Sequence, residues 1–136
     1  MSKRITGGVA IITRSRKHFL IRQSENKPLG GQWRHPGGSF EKGESKKQGI
    51  KREIKEELGL EIKVLGDKPI HIEKIDYKPG YFGFYKAKII GEKLKLDKRE
   101  IDDCGWFTTE EIKNLKLMKA TKSFYKNKIN AFSKLL

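Results

Sequence analysis

The sequence predicts an α/β (α+β) fold, helices packed on a mixed sheet, and three observations carry that prediction. Runs rich in β-branched and aromatic residues recur between residues 5 and 107. Residues 45–58 have the apolar spacing and end signals of a helix. Strand-like and helix-like segments also follow one another without strict βαβ alternation. At 136 residues the chain fits one domain, 1–136, with enough buried surface for a core. No repeat, low-complexity tract or linker composition marks a boundary within it.

Residues 5–13 and 17–23 read as two strands joined by the polar turn Arg14-Ser15-Arg16-Lys17, a hairpin. Residues 24–31 read as a loop, and Pro36-Gly37-Gly38 as a second punctuated stretch followed by a turn at Gly43. Ser45 then has the character of a helix N-cap, with Gln48 three residues on, and Gly59 stands where a C-terminal cap belongs. Residues 61–65, 69–75 and 81–90 look like strands, and Cys104-Gly105-Trp106-Phe107 like a short one. Thr108 or Thr109 can cap a helix starting near Glu110. Phe124, Tyr125, Ile129 and Phe132 give residues 120–134 the partly helical spacing of a packing helix.

Hydrophobic and charged residues each make up 35% of the chain, but aromatic and β-branched residues recur throughout, which argues against disorder. No apolar run approaches the ~18 residues of a membrane span, and Met1-Ser2-Lys3-Arg4 leads into a strand instead of a signal peptide. One cysteine, Cys104, excludes an intramolecular disulfide framework and a multi-cysteine metal site, so a reducing, cytoplasmic setting is expected. The net charge of +14 favours polyanionic partners, whether nucleotides, RNA, DNA or an acidic surface. A compositional origin is equally open, because the lysines are scattered along the chain.

The informative segment is Arg52-Glu53-Ile54-Lys55-Glu56-Glu57-Leu58-Gly59. At about 100° per residue, Glu53, Glu56 and Glu57 share a roughly 100° arc of one helix face. Ile50, Ile54 and Leu58 form the neighbouring apolar stripe, Lys51 and Lys55 lie on the far side, and Arg52 lies one turn from Glu56. Carboxylates about 6 Å apart repel by ~3 kcal/mol per pair at an effective dielectric near 20, and by less than ~1 kcal/mol in open water. A solvated charged face tolerates that; a cleft demands a counter-cation, and oxygen ligands suit magnesium or manganese.

The wider spacing favours the cleft. Gly38, Glu44, Arg52-Glu53-Ile54, Glu56-Glu57, Gly59 and Leu60 match every specified position of G-x5-E-x7-R-E-U-x-E-E-x-G-U, where U is aliphatic. A shuffled chain of this composition would match all seven fixed letters roughly once in 10⁵ to 10⁶ trials. The pattern resembles the Nudix box. Trp33-Arg34-His35-Pro36-Gly37-Gly38 is similar to the W-x-x-P-G-G lead-in of MutT-like members, and Glu100-Ile101 with Trp106-Phe107 looks like their late E-I-x4-W-F segment.

The resemblance implies an α/β/α sandwich with a mixed sheet, and a hydrolase of diphosphate bonds that uses Mg²⁺, or Mn²⁺. Carried over, Glu53, Glu56 and Glu57 would hold the metal with a backbone carbonyl at Gly37 or Gly38. Arg52 would orient the glutamates, Glu44 would support them or act catalytically itself, and the general base would be Glu53 or, on a later loop, Glu100. Many members end the second strand with a phosphate-binding arginine. Here Arg22 comes two positions early and Ser24 holds that place, although strand alternation keeps Arg22 on the same face. Gly49 replaces the usual alanine, which weakens a helix by about 1 kcal/mol but suits tight packing.

The resemblance favours a nucleoside triphosphate substrate, oxidised forms included, cut to a nucleoside monophosphate and pyrophosphate. Tyr77, 17 residues past Leu60, is the kind of residue seen there in dinucleoside polyphosphate hydrolases. Ile75 stands where ADP-ribose hydrolases carry proline. An RNA 5′ end is a third substrate that the charge permits, and a non-catalytic nucleotide-binding module is a reading of another class. Of the histidines, His71 is expected to be a satisfied core or surface residue, and His35 could reach the site. Trp33 and Trp106 are expected to be structural; Phe82, Phe84 and Tyr85 are expected in the core, one of them free to stack a base.

Overall fold

Alternation along the first strand sets the layers. Val9 and Ile11 point to one side of the sheet and Ala10 and Ile12 to the other, and all four are buried. The computed structural model describes residues 4–75, 78–91 and 93–133, with side chains described as far as Lys126. Its elements are β1 (Ile5–Arg14), β2 (Lys17–Gln23), β3 (Trp33–Arg34), β4 (Gly37–Ser39), α1 (Lys46–Leu58), β5 (Glu61–Val64), β6 (His71–Lys74), β7 (Tyr81–Gly91), β8 (Ile101–Phe107), α2 (Thr109–Ile112) and α3 (Lys119–Ser133).

The sheet is mixed. β1 runs parallel to β7 from Ile5 to Ile12, while β5 and β6 pair with β7 antiparallel. On one face Ile50, Ile54 and Leu58 of α1 meet Ala10, Ile12, Ile21, Ile62 and Tyr85. On the other face Phe124 and Tyr125 of α3 meet Val9, Ile11, Leu20, Phe82 and Phe84. This is the expected α/β/α sandwich, in which each helix is stabilised by packing its apolar face on one side of the sheet. Among the described residues, no helix is long and apolar enough to cross a membrane.

The predicted hairpin closes, but only at its tip. Ser15 and Arg16 both take positive φ, the conformation of a two-residue type I′ turn, and only Thr13–His18 and Arg14–Lys17 pair directly. Beyond them the strands splay, and residues 33–39, read from sequence only as the punctuated stretch Pro36-Gly37-Gly38, wedge into the gap. Trp33–Arg34 pair with β2 and Gly37–Ser39 pair with β1. β2 turns its other edge to β8, which starts at Ile101, three residues earlier than expected.

The helix ends follow the sequence. The Ser45 hydroxyl accepts the Gln48 N–H and the Gln48 amide oxygen accepts the Ser45 N–H, a reciprocal cap, while Gly59 closes α1 at φ 71°. A side chain at Gly49 would come within 2.4 Å of Phe40, so the glycine that weakens α1 locally lets it dock. α2 is a single turn capped by Thr108 and Glu111.

Candidate active site

The wedge between β1 and β2 and the buried end of α1 enclose a cavity of about 320 Å³, lined among others by Arg34, Gly37, Gly38, Glu53, Glu57 and Glu100. Glycine is required at its floor. Gly37 has φ 145°, and a Cβ there would lie 2.1 Å from the Gly8 carbonyl oxygen. A Cβ on Gly38 would lie 2.6 Å from the Glu53 carboxyl group. The Glu53 carboxylate thus lies close against the Gly38 backbone, where a side chain would not fit.

Glu57 is the deepest carboxylate, only 6% exposed. Its Oε2 accepts from Arg34 Nη2 at 2.7 Å and its Oε1 from the Gly37 N–H at 3.3 Å. Glu53, one turn earlier, is half-buried. Burial first, and the negative charge of Glu57 second, push its carboxyl above the usual range, while Arg52 pulls the other way.

Arg52 is the hub behind them. It binds Glu44 through Nε at 2.6 Å and Nη2 at 3.0 Å, and Nη2 also donates to the Ser39 carbonyl. Its Nη1 donates to Glu53 at 3.1 Å and to Glu56 at 3.2 Å. The Arg52 hydrogen bonds and the Glu41 N–H hold the Glu44 carboxyl below its usual range. Glu44 thus anchors Arg52 behind the cavity wall and does not line the cavity.

The structure brings some of the predicted residues together and leaves others apart. Gly38, Glu53, Glu57 and Glu100 share the cavity; Glu100 accepts from Lys27 Nζ at 2.9 Å. Glu56 leans out on Arg52, with its side chain 59% exposed. Among the described residues, no three acidic, histidine or cysteine side chains gather as a metal site. Arg22 stays on β2 but donates to Glu25 at 2.6 Å and lies 3.5 Å from Asp102, and it does not line the cavity. Tyr77 lies outside the described residues.

His35 does not reach the site. It packs on the α3 side against Phe84 and Phe124. His71 is half-buried and bonded to Glu73, and Trp33 and Trp106 pack on Phe107 and Phe19, as expected of structural residues. Phe84 and Tyr85 are core residues, whereas Phe82 also touches the cavity. Sequence reasoning missed Arg34, Lys27, Lys78 and Gln23, all of them lining residues. A signal for Arg34 existed: it is a basic residue at an unspecified position of the lead-in to the glycine pair.

The donor set fits a hard divalent cation. Two mutually repelling carboxylates in a half-buried cavity, beside glycine backbone with no side chain in the way, offer oxygen ligands and negative charge. A family model described as the NUDIX domain matches residues 3–128. The chain belongs to the NUDIX family. It is accordingly a Nudix hydrolase acting on phosphoric anhydride bonds.

Among its relatives, the nucleoside triphosphatase NudI of Enterobacter sp. (strain 638) is 28% identical over 129 residues, covering 87% of this chain and 92% of that one. The NAD-capped RNA hydrolase NUDT12 of Macaca fascicularis is 29% identical over 96 residues, 62% of this chain but only 19% of that larger protein. The crystal structure of the MutT NUDIX hydrolase from Burkholderia pseudomallei superposes with a TM-score of 0.74 at 26% identity, covering 93% of this chain and 98% of that one.

Proposed function

We propose that this Nudix hydrolase is a magnesium-dependent pyrophosphohydrolase of nucleoside triphosphates, oxidised ones included, releasing a nucleoside monophosphate and pyrophosphate. The observation that carries this reading is one cavity in which Glu53, Glu57 and the Gly37–Gly38 backbone face the cationic side chains of Lys27, Arg34 and Lys78. Carboxylates suit a metal and cations suit phosphates. The similarity to NudI over most of both chains supports a triphosphate substrate.

Glu53, Glu57 and the Gly38 carbonyl, joined by Glu56 on turning in from Arg52, would hold Mg²⁺, or Mn²⁺, which when bound neutralises the diphosphate and polarises phosphorus. Lys27 and Lys78 bind phosphate oxygens. Glu53 is the first candidate to take the proton of the attacking water. Glu100 is the second candidate base, set back by its ion pair with Lys27. Glu44 acts by keeping Arg52 on Glu53 and Glu56. Arg22, engaged by Glu25 and Asp102, makes no substrate contact in this reading, and Tyr77 would matter only for a dinucleoside polyphosphate.

One observation favours a second substrate, an RNA 5′ end. A groove of about 610 Å³ lined by Lys74, Lys78 and Lys119 adjoins the cavity through Lys78. The test is phosphate and pyrophosphate release with Mg²⁺ across canonical and oxidised nucleoside triphosphates, dinucleoside polyphosphates, ADP-ribose and 5′-triphosphorylated RNA, each beside Glu57→Gln. Pyrophosphate release from a triphosphate, lost in the variant, supports the first reading. Turnover of the RNA alone, weakening steeply with salt, supports the second. Silence on the whole panel would overturn both.

A further inference from the structure

Arg34 is 8% exposed and lies at the cavity floor. Its Nη2 donates to Glu57 at 2.7 Å, its Nη1 to the carbonyls of His35 at 3.0 Å and Gly37 at 3.3 Å, and its Nε to Gln23 at 3.1 Å. Three of these four acceptors are neutral. Glu57 is the charged one, and it is also a box carboxylate that the metal reading assigns to a divalent ion. A buried carboxylate stripped of its cation is strongly destabilising. A guanidinium and a divalent ion a few Å apart in a half-buried site repel by an amount worth ten-fold or more in a binding constant. The two cations therefore compete for one carboxylate.

We propose that Arg34 is a built-in counter-cation, holding Glu57 neutralised until a divalent ion takes that carboxylate, and that the displaced guanidinium then faces the substrate phosphates as a positioning residue. The inference rests on the metal reading above. The neutral acceptors Gln23, His35 and Gly37 survive the exchange and keep Arg34 in the cavity it shares with Lys27 and Lys78. Its role differs from that of Arg52, which approaches the glutamates from behind and does not line the cavity. A plain structural strut would act with one sign, since its removal would loosen Glu57 and weaken every ligand. A counter-cation acts with two.

The test measures Mn²⁺ binding without nucleotide, by paramagnetic resonance and calorimetry, for the wild type, Arg34→Gln, Arg34→Lys and Glu57→Gln. Arg34→Gln is expected to bind Mn²⁺ about ten-fold more tightly than wild type, and Arg34→Lys within about three-fold of it. At saturating metal, Arg34→Gln is expected to raise the nucleotide KM about ten-fold with a smaller change in kcat. Unchanged or weaker Mn²⁺ binding by folded Arg34→Gln overturns the exchange alone. Absence of Mn²⁺ binding by the wild type, or equal binding by Glu57→Gln, overturns the metal reading and this inference with it. Should Arg34→Gln not fold, the wild type still decides. Side-chain nitrogen resonances of Arg34 should shift and their Nη hydrogens exchange faster as Mg²⁺ is added; no change at saturating Mg²⁺ overturns the proposal.

Discussion

Both faces of the sheet bury polar side chains, on opposite terms. On the α1 face the polar groups are charged: buried Glu57 with Arg34, and half-buried Glu53 with Arg52, around an open cavity. On the α3 face the fully buried ring groups beside Tyr125 are neutral and sealed. The Tyr125 hydroxyl lies 2.8 Å from His35 Nε2 and 2.9 Å from His18 Nδ1, among Phe84 and Phe124. That hydroxyl has one proton, so it donates to one imidazole and accepts from the other. Burial lowers the His18 pKa to about 4 and that of His35 well below its ordinary value, which keeps the imidazoles uncharged. Uncharged groups can be closed off even with one ring nitrogen left without a hydrogen bond, as at His35 Nδ1. Charges need partners, and a partner on an open cavity can be exchanged for a ligand. Adjacent residues on β3 and its extension show the division, since Arg34 turns to the cavity and His35 to the sealed face.

The largest effect should come from Glu53→Gln. Loss of the base is expected to lower kcat by about 10³-fold, while the melting temperature holds or rises because repulsion with Glu57 is relieved. A melting temperature that falls with activity would mean that Glu53 is a structural group like those of the other face. Gly37→Ala tests the rigidity of the floor. With φ 145° and the Gly8 carbonyl oxygen 2.1 Å from the new Cβ, it should cost about 3 kcal/mol in chemical denaturation and lower turnover, by less than Glu53→Gln does. A variant of wild-type stability would show that the floor yields.

Acid separates the faces next. An unfolded histidine binds its proton near pH 6.5, whereas folded His18 does so only near 4, so the unfolded state takes up more protons between them. The stability from keeping His18 neutral is present in full above about pH 6.5 and is lost as pH falls toward 4, by about 2–3 kcal/mol, with His35 adding to it. Denaturation across that range should show the decline, and Tyr125→Phe should alter its size. A flat profile would mean that the histidines are not sealed. The smallest effect is expected from Tyr125→Phe at neutral pH, about 1–3 kcal/mol for hydrogen bonds lost at two buried imidazoles. Its kcat/KM should match wild type; a change there would show that the two faces communicate.

Local patterns made the caps of α1, the hairpin of β1 and β2 and the box spacing legible, because each depends on residues close together in the chain. The short strands β3 and β4 were not legible. They pair in the gap that opens where β1 and β2 splay after a two-pair hairpin, with β7 and β8 on the outer edges of those strands, an arrangement of residues far apart in the chain. Sequence by itself determined which carboxylates share a helix face, since 3.6 residues per turn allows nothing else. Tertiary structure decided what each one meets. Glu57 met Arg34, Glu56 turned out to Arg52, and Arg22 was drawn to Glu25 and Asp102. The physical reason is that an ion pair forms with whichever opposite charge the fold brings within a few Å. In a chain with 31 lysines and arginines, sequence spacing cannot choose among them.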